Sequence, residues 1–233
     1  MPRKIGILCA GDKEAAPFYP HIENPIYIQK AMLNFCEGSI NGMNAVLLFS
    51  GTCKVNAAIA AQILIDHFGV DIILNTGTAG GIDPRLNLFD TVISTESVYH
   101  DVAKTILTEF HPWMPTFYFP CDSELLRLSH RAVEKLNLDT AIYWGRMATG
   151  EAFISDEGRE TIIENFAPLT VDMETAAIAH VCYANNVPFL SIRSVTDTAT
   201  HSGSGHFHEN CPKASAIAKD ITLALLSELS AAP

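Results

Sequence analysis

The sequence predicts a layered α/β fold, and three observations carry that expectation. Short apolar runs with the character of buried strands alternate with longer helical patterns. A length of 233 residues, 48% hydrophobic and 18% charged, is enough to bury a substantial core without covalent staples. No composition break, Pro/Ser/Gly-rich linker or repeat divides the chain, so 1–233 reads as one domain.

Strands are expected at 4–9 (KIGILC), 45–50 (AVLLFS), 71–75 (DIILN), 91–95 (TVIST), 169–173 (LTVDM) and 188–193 (PFLSIR). Between the second and third, KVNAAIAAQILIDHFG (54–69) puts Val55, Ala58, Ile59 and Ile63 near one helical face, with Gly69 as a C-terminal stop. The stretch TEFHPWMPTFYFP (108–120) packs three prolines and five aromatics into thirteen residues. It reads as an ordered irregular loop able to cover a pocket or a neighbouring subunit. TATHSGSGHFHENCP (198–212) is small and polar, and reads as a mobile loop before a last helix.

Composition narrows the function. The formal charge is −11, from 26 acids against 15 bases, and no run of Lys or Arg forms a stripe. Nucleic acid and anionic membranes are therefore not expected partners. The six cysteines are scattered without a C-x-x-C pair and read as reduced thiols of a cytosolic protein. The apolar run near the N-terminus is too short for a signal peptide, and nothing approaches the ~20 apolar residues of a membrane span.

An open α/β sheet gathers its site at the carboxyl ends of strands. Four such ends carry small residues, a carboxylate, or both: AGDKE (10–14), NTGTAGG (75–81), DMET (172–175) and RSVTD (193–197). The glycines of NTGTAGG let backbone N–H groups approach a phosphate or a sugar edge, although the pattern is neither a dinucleotide nor a P-loop fingerprint, and a tight turn would account for it equally. Asp197, where an apolar strand emerges, is placed to be desolvated and to hold a proton as a general acid; capping a turn is the other reading. Glu14 lies in a charge cluster with Asp12 and Lys13 that is otherwise unremarkable on a surface. Asp172 and Glu174 precede an alanine-rich helix, whose first N–H groups alone would explain acids there. His206-x-His208 with Cys211 three residues on raises the question of zinc, but the spacing matches no closed ligand set.

Taken together, KIGIL, SGTCKVNAAIAAQILIDHFGVD, NTGTAGGI, DTVISTESVYHD, ATGEAFI and VDMETAAIAHVCYANNVPFLSIRSVTD resemble, in order, bacterial 5′-methylthioadenosine/S-adenosylhomocysteine nucleosidases. The likeness covers nearly the whole chain up to Asp197. It implies a three-layer α/β/α nucleoside phosphorylase-like fold with a central mixed, partly barrelled sheet. It also implies hydrolysis of the adenine–ribose bond through an oxocarbenium-like sugar, with no cofactor and no metal. By the same resemblance Asp197 protonates N7 of adenine and Glu14 orients and deprotonates the water. Glu174 and Met173 hold the ribose, Thr78 and Arg193 organise water and site, and the backbone of Phe153 and Ile154 meets the adenine edge. The chain departs from the family at Gly11-Asp12-Lys13-Glu14, at Gly51-Thr52-Cys53, at 103–117 and at 201–210. The last two stretches shape the pocket for the 5′ substituent, so reaction type is better supported than substrate choice.

Two rivals stay open on sequence. A nucleoside phosphorylase would use phosphate in place of water, but a dianion needs fixed cations and the first loop offers only Lys13, the glycine strand end only Asn75. Arg85 and Lys54 remain as alternative phosphate ligands. A non-catalytic nucleoside-binding protein would lack the acid or the water-directing carboxylate, whereas Glu14 and Asp197 are both present. The resemblance, with the aromatic stretch 110–119, implies a homodimer.

Overall fold

The runs read as buried strands lie side by side in one sheet. The computed structural model describes residues 3–110, 114–155 and 157–231. Strand β1 (Lys4–Cys9) runs parallel to both its neighbours, β4 (Met43–Phe49) and β5 (Ile72–Gly81), with Leu8 opposite Leu48 on one side and Asn75 on the other. Its residues from Ile5 to Cys9 are buried without alternation, as a strand covered on both faces requires. β10 (Phe189–Asp197) pairs in parallel with β5 and antiparallel with β6 (Thr91–Tyr99). From β6 the sheet continues through β8 (Ile142–Thr149) and β9 (Thr170–Asp172) back to β5.

Those five strands close on themselves as a partial barrel. β1, β4, β3 (Leu33–Ile40) and β2 (Glu23–Lys30) extend from it as an open arm. Helix α2 (Lys54–Asp66) packs on α6 (Thr175–Asn185), while α7 (Ser204–Ala231) lies along β5 and β10 and against α4 (Ser123–Glu134). Asp122 starts α4 by accepting from the N–H groups of Glu124 and Leu125. The remaining short elements are α1 (Asp12–Ala15), α3 (Lys104–Phe110), β7 (Tyr118–Pro120) and α5 (Arg159–Phe166). Among the described residues no helix is long and apolar enough to cross a membrane. The six cysteines are unpaired thiols.

Several sequence expectations are corrected. The glycine stretch 75–81 is not a loop: β5 continues to Gly81, because β10 pairs with it as far as Asp197 opposite Gly80. The face of α2 turned to the core carries Ala57, Ala60, Ala61 and Leu64, and Val55 and Ile59 are exposed. Small residues win that face because α6 crosses close by, and α6 itself buries Ala176, Ala177 and Ala179. The loop expected over 198–212 is helical from Ser204, with Pro212 inside the helix. Burial of Cys211, Ala214, Ser215 and Ala218 outweighs the helix-breaking character of that stretch. The aromatic stretch 108–120 divides into the end of α3, then β7, with Met114 and Phe119 buried and Phe110 exposed; His111, Pro112 and Trp113 lie outside the described residues. β2, β3, β7 and β8 were not anticipated.

Candidate active site

The glycines of β5 make room for carboxylates. A Cβ at Gly77 would stand 2.4 Å from Glu14 Oε1, and one at Gly80 would stand 3.1 Å from Asp197 Oδ2. Only glycine at 77 lets the first loop lay a carboxylate against the strand. The signal read as a phosphate or sugar cradle therefore reports close approach of Glu14 and Asp197.

Glu14 is held on both oxygens. Oε2 accepts from the backbone N–H of Ala10 at 2.8 Å and of Gly11 at 3.0 Å. Oε1 accepts from Thr78 twice, from its N–H and its hydroxyl, each at 2.7 Å. Three of these four donors are backbone N–H groups, which can only donate, and the fourth is the Thr78 hydroxyl. Glu174 is the opposite jaw: its Oε1 accepts from the Cys53 N–H at 3.0 Å, and its Oε2 lies 3.4 Å from Arg193 Nη2. Burial pushes Glu174 up to about 7, against the pull of the Arg193 charge, with Asp172 and Glu14 adding to the rise. Arg193, fully buried, donates from Nη1 to the Thr78 carbonyl at 2.9 Å and from Nε and Nη2 to Asn75 Oδ1 at 3.2 and 3.0 Å. Its Nη1 is 3.8 Å from Glu14 Oε1, so one cation sits between two acids.

Asp197 is treated differently. Its Oδ1 accepts one hydroxyl, from Thr196 at 2.8 Å, and among the described residues its buried Oδ2 has no partner. Burial raises its pKa, with the Thr196 hydroxyl, Arg159 and His206 pulling weakly the other way. Asp172 ties down the start of α6: Oδ1 accepts from the N–H groups of Glu174 and Thr175 at 3.0 and 2.9 Å and from the Thr149 hydroxyl at 2.8 Å.

Glu14, Thr78, Phe153, Met173, Glu174 and Arg193 line one cavity of about 310 Å³. Ile154 and Asp197 line a smaller one of about 30 Å³, which shares Phe153, Val171, Asp172 and Met173 with the first. The eight residues assigned catalytic or substrate-binding roles by resemblance thus line two cavities that share four wall residues. Sequence reasoning missed Thr52, Thr196 and Phe207, which also line the cavity, and Asn75 beneath it. Phe207 had a signal, the aromatic residue inside H-x-H, but it was hidden by taking the stretch for a loop. His208 and Cys211 line the cavity too, yet among the described residues no group of three or more His, Cys, Asp or Glu is placed to hold a metal ion.

The cavity is poor in free cations. Arg193 spends four of its five N–H donors on Asn75, Thr78 and Glu174. Arg85 is an exposed partner of Asp83 at 2.7 Å, and Lys54 pairs with Asp101 at 2.9 Å. Among the described residues neither lines the cavity, and of the lysines only Lys13 does.

A partial barrel with an open strand arm and a carboxylate-lined cavity at its strand ends defines the class. The family model described as the phosphorylase superfamily matches residues 4–227, and the chain belongs to that superfamily, in its 5′-methylthioadenosine/S-adenosylhomocysteine nucleosidase family. It is 36% identical over 231 residues to the nucleosidase of that name from Anoxybacillus flavithermus, covering 97% of this chain and 99% of that protein. Among solved structures, the Colwellia psychrerythraea nucleosidase in complex with adenine superposes with a TM-score of 0.90 at 32% identity, covering 98% of this chain and 96% of that one. The Streptococcus pneumoniae nucleosidase with a transition-state inhibitor gives 0.88 at 31% identity, covering 97% and 99%.

Proposed function

We propose that this protein hydrolyses the N-glycosidic bond of 5′-substituted adenosines, such as 5′-methylthioadenosine and S-adenosylhomocysteine, to adenine and the 5′-substituted ribose. The observation that carries the reading is the unequal treatment of two buried carboxylates on one cavity: Glu14 is saturated by four donors, while Asp197 leaves Oδ2 unpartnered. Bond cleavage needs that asymmetry. A proton must reach the leaving base while an ionised group meets the attacking water.

In the mechanism, burial disfavours the charged form of Asp197, and from its acid form it gives a proton to N7 of adenine as the bond to C1′ stretches. Phe153, Ile154 and Met173 border the small cavity beside it and receive the base. Glu174 accepts from the ribose hydroxyls, which gives it a reason to ionise when substrate is bound. At Glu14 the three backbone donors are fixed, and only the Thr78 hydroxyl can turn. Water reaches Oε1 when that hydroxyl rotates away, and Glu14 then takes its proton as the water adds to C1′. Arg193 keeps the two acids apart in function by standing between them.

Among the described residues phosphate would find Lys13 as the one lysine on the cavity wall and Arg193 already engaged, which supports water as nucleophile. The activity is carried by a single domain spanning 1–233, acting in the cytoplasm as a homodimer. Six thiols without a disulfide agree with a reducing compartment. Exposed Val55 and Ile59 on α2, with Ile106 and Phe110 on α3, supply apolar surface for a second copy. The test is adenine release from a panel of 5′-substituted adenosines in phosphate-free buffer, with light scattering for the dimer. Adenine from the 5′-methylthio or 5′-homocysteinyl members is expected; release from none of them would overturn the reading.

A further inference from the structure

The polar hub beneath the cavity is Asn75, a residue that touches none of the cavity surface. It sits in β5 between β1 and β10, opposite Leu8 and Ser191, and is completely buried. Its Nδ2 donates to the Leu8 carbonyl at 2.9 Å. Its Oδ1 receives Ser191 Oγ at 2.8 Å, Thr175 Oγ1 at 3.0 Å, Arg193 Nη2 at 3.0 Å and Arg193 Nε at 3.2 Å. The amide orientation is fixed by this set, since a flipped NH₂ would face donors and the oxygen would face a carbonyl. A carbonyl oxygen has two lone pairs, so four donors on one atom is an over-subscribed acceptor.

That crowding has a direction. The guanidinium presents one edge to Asn75 and the other to Thr78, Glu14 and Glu174. Arginine cannot shed its proton, so its Nε–H and Nη2–H must find acceptors in the interior. An aspartate of the same shape would supply them too, but as a third carboxylate competing for one cation. We propose that Asn75 is a positioning residue of the active site: its carbonyl oxygen pins the Arg193 guanidinium between Glu14 and Glu174, and its neutrality leaves the whole arginine charge to those two acids. The proposal rests on the nucleosidase reading for its catalytic meaning, but the electrostatic part stands on the free protein.

The group that reports it is Glu174. The groups facing it are Arg193 from β10, Asp172 from β9, Glu14 from α1, and both the N–H and the thiol of Cys53 at the start of α2. Of these only Arg193 carries the opposite charge, so moving or sharing that charge changes the pH at which Glu174 ionises. Asn75→Asp draws the guanidinium's charge to the new carboxylate and should move the Glu174 titration alkaline by one pH unit or more. Asn75→Ser releases the guanidinium without adding charge, lets it close on the two carboxylates, and should move the same titration towards acid. Opposite signs are a signature that general damage to the fold does not produce.

The experiment follows the Glu174 carboxyl by ¹³C NMR titration in wild type, Asn75→Asp and Asn75→Ser, with pH profiles of kcat and KM for adenine release alongside. Expected are titration midpoints displaced in opposite directions. For Asn75→Asp, KM at pH 7 should rise roughly fivefold for the first pH unit by which the midpoint moves, recovering at higher pH. Either folded variant titrating with wild type would overturn the proposal, and Asn75→Ser decides alone if the buried aspartate prevents folding. Absence of adenine release from wild type would sink the nucleosidase reading and leave the titration to judge Asn75.

Discussion

The two ends of the cavity handle buried acid in opposite ways. Around Glu14, four N–H and O–H donors converge and an arginine stands 3.8 Å away. Around Asp197 there is one hydroxyl, an apolar wall of Phe153, Ile154, Val171 and Met173, and an oxygen with no partner among the described residues. Donors aimed at a carboxylate stabilise its charge, and burial without them stabilises its proton. On the proposed mechanism the same side-chain chemistry serves as base at one end and acid at the other. Gly77 and Gly80 leave the space in which the two carboxyl groups pack against β5.

The comparison breaks first at Asp197. Asp197→Asn keeps the size and a hydrogen-bonding group but removes the proposed proton donor, so kcat should fall by about 10²–10⁴, roughly 3–5 kcal/mol of barrier. Retention of more than about a tenth of wild-type kcat in steady-state assays would remove the assignment. Because the acid is desolvated and poorly hydrogen-bonded, thermal melting should show no loss of stability.

Glu14→Gln should behave otherwise on both counts. The attacking water loses its base, costing about 10²-fold in kcat. One oxygen also becomes an NH₂ facing N–H donors, which should cost about 1–3 kcal/mol in denaturant titrations. Equal stability of the two variants would show that the donors around Glu14 carry no weight.

Glu174 lies between the extremes, and pH separates its contributions. Its pKa rises from an ordinary 4.5 to about 7 on folding, so the folded state binds more protons between those values. Stability gained from the raised pKa is full below pH 4.5 and is lost as pH climbs through 7. Glu174→Gln, which cannot ionise, should match wild type at pH 4 and exceed it at pH 8 by on the order of 3 kcal/mol. A constant difference across that range in urea unfolding would contradict the raised pKa. Asp172→Asn should be the mildest change. The amide oxygen can still accept from the N–H groups of Glu174 and Thr175, so stability should move by less than about 1 kcal/mol and kcat by only a few-fold.

What was legible in the sequence follows from what each residue does locally. The strands at 4–9 and 71–75 announced themselves because burial on both faces demands unbroken apolar runs. The hairpin arm escaped notice because β2 is almost wholly exposed and its one apolar run, Ile26–Ile28, is only three residues long. The helical state of 204–212 is written in the burial of Cys211 and Ala214 on a helix packed along β5 and β10, whereas the local Gly, Ser and Pro argue against it. The chemistry-bearing acids were visible at strand ends and through resemblance. Asn75 carried no such mark: its importance comes from Ser191, Thr175 and Arg193, over a hundred positions away in part, meeting on one oxygen.

On the proposed mechanism Glu14 delivers water, not phosphate, to the sugar as Asp197 protonates the base. The direct measurement is single-turnover cleavage of 5′-methylthioadenosine in ¹⁸O-labelled water, with and without phosphate, with mass analysis of the sugar. The expected result is free 5-methylthioribose carrying one ¹⁸O at C1, formed at the same rate in both buffers. A sugar 1-phosphate in the phosphate buffer, with cleavage abolished when phosphate is removed, would contradict it.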